Sequence, residues 1–284
     1  MQQDDRLTNH QSAGASRASA PVRLDAAIIG AQKSATTTLF DRIAAHPDVS
    51  GCEPKEPHFF IRDDWETHLD EYASMFPEPA GRLTLEASTT YSFAQHSDVV
   101  ARRLHAHNPH MRIIYVVREP VARIVSAYRH AASRRYKVAP TIGQAVATPS
   151  RLVDNTRYAA RLKPFRDLFG ADRVLILTFE EVTTRQSDCL AQVQTFLGLP
   201  PIRLDEVALN RSSTPKLHHR HDGRRWMEAF ARTAPRFYER FAKERIDIDD
   251  RLQPETETAL RRALASDIEV IERWSGRDLS RWRN

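Results

Sequence analysis

A three-layer α/β fold, with a mainly parallel central sheet flanked by helices, is what this 284-residue sequence predicts. Three observations lead there. A short apolar run gives way to a helical pattern four times along the chain, and such alternation builds parallel sheets covered on both faces. The runs themselves, such as "AAIIG" and "RIIYVV", are almost continuously apolar, which is how strands buried on both sides read. Hydrophobic residues make up 41% of the chain and charged residues 28%, enough for a sizeable core with a solvated exterior.

The elements follow in order. "LDAAIIG" reads as a buried strand ended by Gly30, and "TTTLFDRIAAHP" as a helix with Leu39, Phe40 and Ile43 on one face, stopping before Pro47. "RLTLEAS" is a second strand, "VVARRLHAHNP" a helix and "RIIYVVREP" a third, strongly β-branched strand. "VARIVSAYRHAASRR" returns as a helix, with Pro120 in its first turn, where a missing N–H costs nothing. "TRYAARLKPFRDLFG" is helical, "DRVLILTFE" a strand, and "RQSDCLAQVQTFLG" a helix closed by Gly198. The pattern loosens from about Pro201 to Asp250. An amphipathic helix then spaces Leu260, Leu264, Ile268, Ile271 and Trp274 along one stripe. Residues 1–21 read as a flexible polar tail without the apolar core of a signal peptide, and residues 22–284 as one domain with a helical C-terminal part.

The stretch "AAIIGAQKSATTTLF" carries the first chemistry. It sits at the carboxyl end of a parallel strand, where open α/β sheets bind ligands. The first turn of a helix presents unpaired N–H groups that favour an anion. Lys33 adds charge, and Thr36, Thr37 and Thr38 add hydroxyl donors. The spacing is not that of a triphosphate loop: the lysine comes three residues after Gly30 and no second glycine precedes it. An ordinary strand-to-helix turn with a threonine cap is the plainer alternative.

Taken together, the motifs resemble a known family. "IIGAQKSATTTL" is similar to the 5′-phosphosulfate loop of sulfotransferases that use 3′-phosphoadenosine 5′-phosphosulfate (PAPS). "RIIYVVREPVARIVSAY", about 85 residues on, resembles the family's 3′-phosphate signature. "KEPHFF" and "LEASTTY" resemble segments of the heparan-sulfate branch and its bacterial relatives, and "VLILTFEEV" with the helix to "FLGLP" continues in the family's order. The resemblance covers roughly residues 25 to 200 and implies a P-loop-like PAPS sulfotransferase fold. It implies that a sulfonate moves from PAPS to a hydroxyl of a small-molecule, sugar or glycolipid acceptor by in-line displacement, with no metal.

The resemblance also implies roles. Lys33 neutralises the leaving phosphate, and Ser34, Ala35, Thr36, Thr37 and Thr38 complete the grip on it. Ser34 and Ala35 stand where the heparan branch has two glycines. Arg118 and Ser126 hold the 3′-phosphate. Glu56 is the base, framed by Pro54 and Pro57, with Phe59 and Phe60 as an apolar wall and Lys55 as a competing ion-pair partner. His58 is a rival base, and His58 and Glu86 are expected near the acceptor. Ala87 replaces a lysine common in that branch. Lys216 resembles a loop that closes over the nucleotide, and Tyr158 stacks on adenine or belongs to the core.

The remaining features are broader. The formal charge is +5, and arginine supplies all but six of the 42 basic residues, which suits phosphate-like anions. Cys52 and Cys189 form neither a disulfide framework nor a metal spacing, so a reducing cytoplasm is expected. No apolar run reaches the roughly 18–20 residues of a membrane helix. The histidines at 105, 107 and 110 and at 218, 219 and 221 lack accompanying cysteines or spaced carboxylates, which argues against a metal. Two other functions compete: a small-molecule kinase of the same fold class, and a nucleic-acid binder built on "HHRHDGRRWMEAFARTAPRFYER".

Overall fold

The computed structural model describes residues 22–134, 138–147, 150–202 and 248–283. Five strands form one all-parallel sheet in the order β2-β3-β1-β4-β5. They are β1 (Ala26–Gly30), β2 (Val49–Gly51), β3 (Leu83–Glu86), β4 (Arg112–Val117) and β5 (Val174–Thr178). The connecting helices are α1 (Thr36–Ala44), α2 (Leu69–Ala73), α3 (Ser97–His107), α4 (Pro120–Ser133), α5 (Ile142–Ala147), α6 (Arg151–Asp154) and α7 (Tyr158–Phe169). After β5 come α8 (Phe179–Thr184), α9 (Gln186–Leu197) and α10 (Pro254–Ser275). The sequence reading missed β2, a three-residue edge strand too short to show a pattern.

Both sheet faces are buried, and the side-chain alternation shows how. Ala26, Ile28, Ile114, Val116 and Leu177 pack with Leu39 and Ile43 of α1 and Val193 and Leu197 of α9. Ala27, Ile29, Ile113, Tyr115 and Val117 face the other way, onto Leu104 of α3, Leu162 and Phe165 of α7 and Ile268 and Ile271 of α10. Strands loaded on both faces leave no polar side, which explains their continuous hydrophobicity in the sequence. A smaller cluster joins Ile124 and Tyr128 of α4 to Ile142 of α5 and Leu260 and Leu264 of α10.

The sheet's carboxyl edge is shaped at Gly30. A Cβ there would lie 2.2 Å from Ser92 Oγ and 2.8 Å from the Tyr115 ring, so only glycine lets the chain leave β1 at this point. The β1–β4 register shifts between Ile28 and Gly30, a bulge that turns the following loop away from the ladder.

Candidate active site

The loop from Ala31 to Ala35 leads into α1 in an unusual conformation. Lys33 has φ 73° and Ala35, the N-cap, φ 64°, both in the left-handed region that non-glycine residues rarely enter. Such strain persists where surrounding structure enforces it, often at functional sites. No side chain caps α1 and no acidic residue stands in its first turn. The N–H groups of Thr36, Thr37 and Thr38 find no acceptor among the described residues. Thr38 therefore does not cap the helix; Thr36 is buried, Thr37 exposed and Thr38 half-buried. Ser34 is fully buried, and its hydroxyl has no hydrogen-bond partner among the described residues.

Cations converge on this loop. Arg118, one residue past β4, donates from Nη1 to the Lys33 carbonyl at 3.1 Å. Its guanidinium lies over the Phe179 ring, 4.3 Å from the centroid, a contact that fixes its plane. Glu119 does not pair with Arg118. Its carboxylate caps α4, accepting from the Val121 and Ala122 amides, and binds Arg261 of α10 at 3.0 Å. Burial, with Arg118, Arg134 and Arg123 nearby, pushes the Lys33 ammonium below its usual pKa. Among the described residues, neither Lys33 nor Arg118 forms a salt bridge. Ser126 is half-buried on α4, and its hydroxyl is unpaired among the described residues, with no hydrogen bond to Arg118. Tyr158 is core: it is fully buried, 6.1 Å from the Tyr115 ring, and donates to the Arg118 carbonyl at 2.8 Å. This corrects the adenine-stacking option.

The segment after β2 is arranged differently. Glu56 Oε1 accepts from Lys55 Nζ at 2.9 Å, and Oε2 accepts from Thr89 Oγ1 at 3.4 Å. His58 Nε2 lies 4.0 Å from Glu56 Oε2, and its Nδ1 meets Thr90 Oγ1 at 2.8 Å. The residues after β3 splint this segment. The Ala87 amide donates to the Lys55 carbonyl, Ser88 Oγ accepts from the His58 amide, and the Tyr91 hydroxyl accepts from the Phe60 amide. "LEASTTY" thus serves as a brace for "KEPHFF", a role the sequence reading did not assign. Phe59 and Phe60 do not wall Glu56; their rings turn into the core, Phe59 stacked on Tyr72 at 4.3 Å.

Glu86 requires a correction. It was expected at the acceptor, yet it is fully buried at the end of β3, hydrogen-bonded by the Tyr72 hydroxyl. Burial raises its carboxyl pKa, opposed by the hydroxyls of Tyr72, Tyr91 and Ser88. Zero exposure removes it from direct substrate contact. His107, one of the histidines weighed for metal, accepts from the Leu24 amide among aromatic rings, and burial pushes its pKa down to about 4. Lys216, the histidines at 218, 219 and 221, and the arginine-rich segment weighed for nucleic acid lie outside the described residues.

Lys33 follows β1, Glu56 follows β2, Thr89 follows β3 and Arg118 follows β4: four adjacent strands deliver them to one edge. The order reverses around β1, where such sheets bind ligands. An α/β protein with an open, cation-lined loop after its central strand and a carboxylate on the loop after β2, two strands away, is the class that fold and site define. The sulfotransferase domain family model matches residues 23–219, and the chain belongs to that family. It is 30% identical over 194 residues to human heparan sulfate glucosamine 3-O-sulfotransferase 6, covering 64% of this chain and 54% of that protein. It is also 30% identical over 190 residues to mouse heparan sulfate glucosamine 3-O-sulfotransferase 3B1, covering 64% and 47%. The chain spans about half the length of the curated relatives it matches. A solved sulfotransferase from Alicyclobacillus acidocaldarius shares the fold, with TM-score 0.67 and 22% identity over 93% of this chain and 100% of that one.

Proposed function

We propose that this chain transfers a sulfonate from PAPS to an acceptor hydroxyl, releasing adenosine 3′,5′-bisphosphate. The observation that carries this reading is the open donor set around Lys33: uncapped first-turn amides, no first-turn acid, and cations without carboxylate partners among the described residues. Such a set is complementary to a phosphate. Membership of the sulfotransferase family selects which phosphate.

The residues divide the work of an in-line displacement at sulfur. Glu56 takes the proton of the attacking hydroxyl as the new oxygen–sulfur bond forms. As the bond from sulfur to the 5′-phosphate oxygen breaks, the electron pair stays on that oxygen, and Lys33 and the α1 amides stabilise the charge. Ser34, Ala35, Thr36, Thr37 and Thr38 form the 5′-phosphate cradle. Arg118 and Ser126 take the 3′-phosphate. His58, held by Thr90 and beside Glu56, faces the acceptor. Lys216 closes over the nucleotide. No metal takes part, and a sugar, glycolipid or other small hydroxyl compound is the acceptor class.

The whole of residues 22–284 works as one domain in this reading, since α10 packs on both α4 and α7. Residues 1–21, read in the sequence as a tail, lie outside the described residues. A cytoplasmic location agrees with Cys52 and Cys189 being buried and unpaired thiols. No helix among the described residues is long and apolar enough to cross a membrane.

The test is thermal unfolding with added nucleotide. Adenosine 3′,5′-bisphosphate at 100 times its Kd is expected to add about 2.7 kcal/mol, or roughly 5–11 °C for a chain of this size. ATP is expected to do much less. Equal shifts from the two would favour a kinase, and a steeply salt-dependent affinity for nucleic acid with no bisphosphate shift would favour the nucleic-acid reading.

A further inference from the structure

Arg123 has no role in the reading so far, yet it is one of the largest fully buried side chains, 1% exposed, on α4. It carries a charge into the interior and meets only neutral acceptors. Nε donates to the Gln32 carbonyl at 3.1 Å, and Nη1 donates to the Leu152 carbonyl and to Thr156 Oγ1, both at 3.0 Å. No carboxylate among the described residues pairs with it. A buried charge without a counter-ion is costly, and replacing it by an apolar group of similar volume is often neutral or better for stability alone.

The geometry indicates what the charge is for. Gln32 immediately precedes Lys33. Holding the Gln32 carbonyl fixes the plane of the Gln32–Lys33 peptide, and in a trans peptide the Lys33 N–H then points to the opposite side. That N–H has no acceptor among the described residues. Arg118 holds the next carbonyl, that of Lys33, so two arginines of one strand–helix unit grip two successive carbonyls of the loop. Lys33 sits between the two clamps at φ 73°.

We infer that Arg123 is a positioning residue for the 5′-phosphate half of the nucleotide site: it orients the Lys33 amide and side chain through the Gln32 carbonyl, and its counter-ion is the bound phosphate. This rests on the PAPS reading above. Lysine cannot replace it, because a single ammonium on a flexible stem does not span three acceptors in a fixed fork.

The experiment compares two nucleotides by calorimetry. Adenosine 3′,5′-bisphosphate engages both phosphate grips; adenosine 3′-monophosphate lacks the 5′ group. Arg123→Met and Arg123→Lys are expected to weaken the bisphosphate by about 10- to 100-fold, the range for lost charge-assisted bonds. Binding of the 3′-monophosphate is expected to change by about twofold or less. A brace with only a structural role would lower both affinities in proportion, and that result overturns the inference, as does unchanged bisphosphate affinity. Arg123→Lys keeps the charge inside and carries the comparison if Arg123→Met loses its cooperative melt. A wild-type protein that binds neither nucleotide would instead overturn the PAPS reading itself.

Discussion

Two segments at the carboxyl edge of the sheet are built on opposite electrostatic plans. Around Lys33 the Gln32 and Lys33 carbonyls are held while the Lys33 amide, the first-turn amides of α1 and the cations are left open, and burial, with Arg118, Arg134 and Arg123 nearby, depresses the proton affinity of Lys33. Around Glu56 nearly every polar atom is answered: by Lys55 and Thr89 at the carboxylate, by Thr90 at His58, and by Ser88 and Tyr91 at the backbone. The first plan is expensive until an anion arrives; the second is complete without a ligand. Open donors mark where binding energy is collected, and closed networks mark where a group must be held still for chemistry.

Breaking the closed side should affect turnover alone, and by the most. Glu56→Gln keeps the shape and cannot take a proton, so sulfate transfer is expected to fall by about 10²–10⁴-fold. Bisphosphate affinity measured by calorimetry should stay within about twofold. Turnover near the wild-type level would move the base to His58.

Breaking the open side should affect both. Lys33→Met is expected to slow transfer by about 10²–10³-fold, as for a lost charge-stabilising donor, and to weaken the bisphosphate by about tenfold or more. The pH dependence sharpens this. Lys33 is depressed in the free protein, so between that lowered pKa and its unfolded value the unfolded chain holds more protons, and free-protein stability rises with pH across that window. A bound phosphate favours the ammonium, so binding takes up a proton there. Affinity is therefore full below the free-protein pKa and declines above it, and this slope should vanish in Lys33→Met.

Arg118→Ala divides the open side further. Loss of a charge-assisted contact should weaken the 3′,5′-bisphosphate by about 10- to 100-fold, and AMP, which lacks the 3′ group, distinctly less. Calorimetry with both nucleotides decides it. Equal losses would make Arg118 only the holder of the Lys33 carbonyl. The smallest effect is expected at Ala35, whose φ of 64° suits glycine better. Ala35→Gly should relieve up to about 1 kcal/mol of left-handed strain, offset in part by the entropy of the unfolded glycine. The readout is a rise of a few degrees or less in melting temperature without ligand.

The sheet and the strand-to-helix turn at Gly30 were legible because apolar runs, a terminal glycine and helix periodicity are local signals. The strand β2 was not, since "VSG" is too short to repeat. The short helix α8 had a signal that went unused: Thr178 and Glu181 form a capping box, the pattern T-x-x-E. Arg123 was not singled out in the sequence, although it shares the buried stripe of Ile124, Ala127 and Tyr128. A charge on an apolar stripe was the available clue. The burial of Glu86 was written in no local pattern. It follows from Tyr72 and Tyr91 closing over the strand end, contacts that only the fold brings about.

The ion pair between Glu119 and Arg261 spans 142 residues of chain. On a ribosome adding roughly 5–20 residues per second, Glu119 waits about 7–30 s for its partner. Until then the helix carrying Ser126 has its cap but not its lock, and the cluster that unites Ile124 and Tyr128 with Leu260 and Leu264 is incomplete. The half of the fold that carries Arg118 and Ser126 is thus the last to be finished during synthesis, although half of its residues are made early.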